Sequence, residues 1–242
     1  MAWFFTQEEI SGDKYLIEGK DAQHIAKSLR MKQGEELTLI TPQKIQHTCI
    51  IESTQPSSVQ VNIIDSKPCE NEPDVEITLY QALPKGDKME YIIQKSVELG
   101  VTKIVPVISA RCISRPDEKS IAKKQVRWQK IAQEASQQSR RGIVPTVEKA
   151  VTFKEACTLS KANDCNIIFY ECGGESVKNL IKGKYKSMGM FIGSEGGFEK
   201  AEVDLVIENG GSSATLGKRI LRAETAPLAA ISIIMYETGN FE

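Results

Sequence analysis

Two glycine turns near the end of the chain carry the residue types and spacing best suited to ligand chemistry. In Phe191–Val203, FIGSEGGFEKAEV, an apolar run stops at Gly193, and Glu195, Gly196 and Gly197 follow before a helix near Glu199. In Leu216–Ser232, LGKRILRAETAPLAAIS, a second apolar run stops at Gly217. There Lys218, Arg219 and Arg222 precede a helix with Pro227 in its first turn. Glycine permits close approach of backbone to a ligand, and a helix start offers N–H groups without partners. Open α/β sheets bind ligands where strand ends feed helix starts in this way. Two such turns close together predict one composite pocket.

Other chemistries fit the residues less well. The glycines do not form GxGxxG, and Leu79–Lys88, after the first strand of that region, contains only Gly86, so a dinucleotide fingerprint is missing. The only histidines are His24 and His47, both within the first seventy residues, which leaves no Ser/His/Asp set. Of the six cysteines, Cys157, Cys165 and Cys172 lie closest together, at spacings that fit neither CxxC nor a zinc site. No metal is expected, and the thiols read as reduced and mostly buried. Taken alone, Glu195 is either a general base or the cap of the following helix. Arg222 taken alone is most simply a salt-bridge partner of Glu224 or of a second subunit.

The elements that must position these turns fall into two patterns. Up to about residue 70 the chain reads as short strands, Glu36–Ile40, Thr48–Glu52 and Val59–Ile64, with one amphipathic segment, Asp21–Met31. This predicts a compact β domain. Ser66–Asp74, SKPCENEPD, has two prolines and no periodicity, and the boundary between domains 1–70 and 74–242 is placed there. Beyond it strands and helices alternate. Strands are expected at Val75–Leu83, Ile104–Ile108, Ile167–Tyr170, Met190–Gly193 and Ala214–Leu216. The matching helices are Lys88–Leu99, Lys119–Gln138, Glu199–Asn209 and Glu224–Glu237. Such alternation indicates a parallel sheet covered on both faces.

Composition bounds the class. With 242 residues, 40% hydrophobic and 26% charged, the chain has the make-up of a soluble globular protein. No apolar run reaches 18 residues, and MAWFFTQEEI lacks the features of a signal peptide, so no membrane association is expected and a cytoplasmic location is. The net charge is −1, but Leu83–Lys149 holds fourteen Lys/Arg against seven Asp/Glu. That basic zone is compatible with RNA contact and equally with a solvated surface. Leu228–Met235 is apolar nearly all round, broken only by Ser232. A helix of that kind must be covered on all sides, inside the monomer or at a subunit interface.

GSEGG followed by LGKRILRAETAPLAAIS resembles the carboxy-terminal signature of the RsmE family. LPKGDKMEYIIQKSVELGV (Leu83–Val101), RWQKIAQEASQQSRR (Arg127–Arg141) and HIAKSLRMKQGEEL (His24–Leu37) extend the resemblance over nearly the whole chain. It implies an α/β fold of the SPOUT type, a trefoil-knotted parallel sheet with helices on both faces. A small PUA-like β-barrel that binds RNA precedes the sheet. The implied activity is methylation of N3 of a uridine in small-subunit (16S) ribosomal RNA, using S-adenosylmethionine. Implied partners are that rRNA, within an assembled 30S particle, and a second copy of the chain in a homodimer built through the last helix. Two alternatives from other classes remain: a non-catalytic RNA-binding or assembly factor, and a methyltransferase for another RNA. A pure binder has no need of both glycine turns.

Site residues follow from the same resemblance. The cofactor is implied to lie among Tyr170 and Glu171, then Ile192, Gly193, Ser194, Glu195, Gly196 and Gly197, then Leu216, Gly217, Ile220, Leu221, Arg222 and Ala223. Arg222 is the implied catalytic residue, its guanidinium stabilising negative charge that develops on the uracil ring as N3 loses its proton. Arg30, Lys85, Lys88, Arg140 and Arg141 are the implied phosphate contacts. Ser194 stands where the family usually has proline, which would stiffen the turn. Trp3 stands where it commonly has arginine, and core burial is the expected fate of Trp3, Phe4 and Phe5.

Overall fold

The computed structural model describes residues 2–181 and 185–241. The chain divides into two compact units, 1–72 with 136–143, and 73–135 with 144–242. The first unit is a five-stranded sheet. Its strands are β1 (Ala2–Phe5), β2 (Lys14–Glu18), β3 (Glu36–Ile40), β4 (Ile45–Thr54) and β5 (Ser58–Pro68), in the order β1-β3-β4-β5-β2. Only β1 and β3 run parallel. Register shifts between β4 and β5, at Thr48/Cys49 and Ile51/Ser53, add local twist. Alternate residues then face one core of Phe4, Ile17, Leu37, Leu39, Cys49, Ile51, Val59 and Val61.

The amphipathic segment is shorter and less regular than its periodicity suggests. It comprises α1 (Gly19–Gln23) and a single π-type turn at His24–Ser28, still burying Ala22 and Ile25. Sequence reading missed β1 and β2. Trp3 and Phe4 are buried in β1, and Trp3 Nε1 donates to the carbonyl of Arg141 at 2.9 Å.

The second unit is the parallel α/β sheet, and the five strands expected there begin or end within about three residues of their limits, while three short strands and two helices within residues 146–180 were not expected. In chain order it holds β6 (Glu76–Ala82), α2 (Lys88–Glu98), β7 (Lys103–Ile108) and α3 (Glu118–Gln138), whose last turn belongs to the first unit. There follow β8 (Thr146–Val147), β9 (Val151–Thr152), α4 (Phe153–Ser160), β10 (Cys165–Phe169), β11 (Glu175–Ser176) and α5 (Val177–Leu180). The chain ends with β12 (Ser187–Ile192), α6 (Lys200–Glu208), β13 (Ser212–Thr215) and α7 (Ala226–Glu237). Strand order is β11-β13-β10-β12-β6-β7-β8, with β9 also on β7, and every pairing is parallel. The central strands β6, β10 and β12 are nearly continuous apolar runs because helices cover both faces.

Strand β10 lies between β12 and β13, so the chain leaves β12, crosses past β10 and returns on its other side. That makes the carboxyl ends of β10, β12 and β13 a topological switch point. Helix α7 buries Ala230, Ile231, Ile234 and Met235 but leaves Ile233 and Tyr236 exposed. Gly100 closes α2 at φ +98, and a Cβ there would lie 2.8 Å from Met235 Cε. Glycine at this position therefore serves both the helix end and the α2–α7 packing.

Candidate active site

The loops leaving β10, β12 and β13 surround a cleft of about 170 Å³. Tyr170 and Glu171 line it from the first loop, and Ile192–Gly197 from the second. Leu216, Gly217, Ile220, Leu221 and Ala223 line it from the third. Thirteen of the fourteen residues expected around the cofactor thus come together. Arg222 does not: it is 84% exposed, outside the lining, with its guanidinium 3.9 Å from Glu224 Oε1. Its carbonyl accepts from Thr225 and Ala226, which starts α7 and turns the side chain outward. Arg219, three residues earlier, lines the cleft instead, as do Phe169, Thr215 and Ala226. Sequence reading ranked Arg219 below Arg222, since spacing along an irregular loop does not say which cation faces inward.

The glycines are required by close approach. Gly197 N donates to Ser194 O at 3.0 Å in a tight turn. A Cβ on Gly193 would lie 2.9 Å from Gly197 Cα, and one on Gly196 would lie 3.0 Å from Arg111 Cβ. Gly217 meets no neighbour and is glycine for its backbone, at φ +99. Below the turn, Gln81 at the end of β6 donates from Nε2 to the carbonyls of Ala82 and Gly193, at 3.0 and 3.3 Å.

Polar groups around the cleft are mostly paired. Glu195 caps no helix. Its carboxylate meets Lys88 Nζ at 2.8 Å and accepts from the Lys85 amide at 3.3 Å. Burial raises this carboxyl, but those bonds overcome it and hold the group below the ordinary range. Lys88 also reaches Glu224 at 3.1 Å, and the two carboxylates, Glu195 first, hold its ammonium above the usual lysine range. The N-terminus of α6 is capped by Glu202, whose Oε2 accepts from Glu199 N at 2.9 Å and Oε1 from Ala110 N at 2.8 Å. Two described groups are exceptions: the Ser194 hydroxyl, buried in the cleft wall, and the side-chain oxygen of Gln81 have no hydrogen-bond partner.

The expected phosphate contacts separate. Arg30 and Arg140 in the first unit are exposed and adopt positive φ, +52 and +59, while Lys85 is exposed in the second. Lys88 is held in its ion pairs. Arg141 is a correction: it is 3% exposed, and its guanidinium donates from Nε and Nη2 to the two oxygens of Glu72, at 3.1 and 2.5 Å. A buried, bidentate guanidinium is a structural fastening rather than a phosphate contact. Among the described residues no three His, Cys, Asp or Glu side chains form a metal-binding group, and no helix is long and apolar enough to cross a membrane.

A parallel sheet with a glycine-walled cleft at its switch point, in a chain that also folds a small mixed β unit, defines an RNA methyltransferase of two parts. Residues 70–235 match the RNA methyltransferase domain family and residues 17–64 the RNA methyltransferase PUA domain family. The chain belongs to the ribosomal RNA small subunit methyltransferase E family. It is 34% identical over 233 residues to the member from Bacillus subtilis (strain 168), covering 93% of this chain and 90% of that one. It is 32% identical to the member from Aquifex aeolicus, over 96% and 98% of the two chains. The crystal structure of the member from Neisseria gonorrhoeae, bound to S-adenosyl methionine, superposes with a TM-score of 0.88. The identity there is 34%, covering 98% of this chain and 97% of that one.

Proposed function

We propose that this protein transfers the methyl group of S-adenosylmethionine to N3 of a uridine in small-subunit ribosomal RNA. The observation that carries the reading is the cleft at the carboxyl ends of β10, β12 and β13, walled by glycines in the loops after β12 and β13. The residues present fit such a cofactor. Loop backbone free of side chains at the glycines suits the close approach of a nucleoside, and Ser194, whose hydroxyl has no hydrogen-bond partner, lines the cleft. Tyr170, Glu171, Ile192–Gly197, Leu216, Gly217, Ile220, Leu221 and Ala223 hold it. The bound cofactor supplies an electrophilic methyl on a sulfonium.

The chain's own residues deal with the uracil. Its N3 gives up a proton to solvent and takes the methyl group that the cofactor would supply, the S–C bonding pair remaining with the sulfur that would leave. Negative charge gathers meanwhile on the ring carbonyls, and the exposed guanidinium of Arg222, on the loop between the cleft residues Leu221 and Ala223, stabilises it. Arg219 faces the cofactor side of the same loop.

Domain 1–70 works as the RNA-docking part and domain 74–242 as the methyltransferase part, the latter threaded as the family's trefoil knot. Exposed Arg30, Lys85 and Arg140 contact phosphate. The working unit is a homodimer that covers Ile233 and Tyr236 of α7, the substrate is rRNA in an assembled 30S particle, and the location is cytoplasmic. Calorimetry with S-adenosylmethionine and mass mapping of methylated uridines in rRNA from cells lacking the protein test the reading. No binding at millimolar cofactor, or an unchanged methylation map, would sink it. Sedimentation as a monomer at micromolar concentration would remove the dimer, and equal turnover on naked rRNA would remove the need for the particle.

A further inference from the structure

The three loops around the cleft come from three different strands, yet their conformations must agree for one ligand to touch all of them. Two cations from outside the cleft lining join them in pairs. Lys88, at the start of α2, lies 2.8 Å from Glu195 in the loop after β12 and 3.1 Å from Glu224 in the loop after β13. Arg111, after β7, donates to the carbonyl of Gly196 at 3.1 Å and lies 3.9 Å from Glu171 in the loop after β10. The turn carrying Arg111 is itself fastened, because the buried Glu202 accepts from Ala110 N. Between them the two cations tie β10's loop to β12's, and β12's loop to β13's.

We propose that Lys88 and Arg111 are positioning residues that assemble the cofactor cleft before the cofactor arrives. This rests on the cofactor reading of the cleft given above. Without the cations, Glu171, Glu195 and Glu224 leave one carboxylate on each of the three loops, and like charges push the loops apart. With them the loops are ordered in advance, and binding does not bear that entropic cost. The stem of Arg111 packs on Gly196, so any side chain there would displace the second strap.

The test measures S-adenosylmethionine binding by calorimetry for the full chain and for Lys88→Met, Lys88→Arg and Arg111→Met, with melting curves with and without cofactor. Both methionine variants are expected to bind about tenfold more weakly. Lys88→Arg, which keeps the charge between the two carboxylates, is expected to bind like the unaltered chain. Cofactor-free melting should stay put, while the rise on adding cofactor should shrink. Equal binding by all four chains would overturn the straps alone. So would equal weakening in Lys88→Arg and Lys88→Met, or a cofactor-free melting point that falls in step with affinity. No binding by the unaltered chain would remove the cofactor reading and the straps with it.

Discussion

Gly197 lies directly under the carboxylate of Glu171. A Cβ on residue 197 would stand 2.7 Å from Glu171 Oε2, and the residue also holds φ +65. The loops after β10 and β12 therefore touch through a glycine that no other residue can replace without moving one of them. Gly197→Ala should lower cofactor affinity by more than about tenfold and cost about 1 kcal/mol of stability. Calorimetry and urea unfolding check the two effects separately.

Arg222 and Arg219 should divide binding from turnover. Arg222→Ala should lower kcat by about a hundredfold and leave cofactor affinity unchanged, because its side chain stands outside the cleft. Arg219→Ala should weaken cofactor binding. Steady-state kinetics beside calorimetry would show the division, and normal turnover in Arg222→Ala would remove that residue from the chemistry.

Cofactor affinity should be flat across neutral pH. Glu195 and Glu224 titrate below the ordinary carboxylate range, so their ion pairs are fully present above it and are lost only as pH falls through the lowered values. Lys88 titrates above the ordinary lysine range, so its contribution is fully present below that range and is lost as pH rises through the raised value. Affinity measured from about pH 6 to 9 should hold steady, and should fall in acid through the lowered carboxylate values and in alkali through the raised lysine value. A midpoint near neutrality would contradict these assignments.

Arg141 and Glu72 hold the segment 136–143 within the first unit. Glu72→Ala removes the carboxylate that pairs with a buried guanidinium and should cost about 3 kcal/mol. Replacing both residues with methionine should recover much of that loss. Urea unfolding of the three chains would measure it.

RNA affinity should respond to Arg140 and not through Arg141's charge. Arg140→Gly removes an exposed cation and relieves its positive φ without strain. Binding to rRNA should weaken uniformly, and the slope of log affinity against log salt should fall by about 1. Filter binding over a salt series would show it.

The sequence alone determined the main alternation of strands and helices, the two patterns of the chain and the three loops of the cleft. Alternation of apolar runs with amphipathic helices, and glycine where those runs stop, are local signals, and β10, β12, β13 and Gly193–Gly197 were all legible from them. Strands β1, β2, β8, β9 and β11 were not, because two to five residues with at most two inward side chains make too short a pattern. What each charged side chain does was settled only by the tertiary structure. Lys88 and Arg141 look alike in sequence, as cations in family motifs. One ties two loops together and the other is sealed against Glu72, because their partners lie 107, 136 and 69 residues away along the chain. Arg219 and Arg222 are told apart only by the turn into α7. A charge takes its role from the groups that fold brings beside it, and for these residues none of those partners is a near neighbour in the sequence except Glu224.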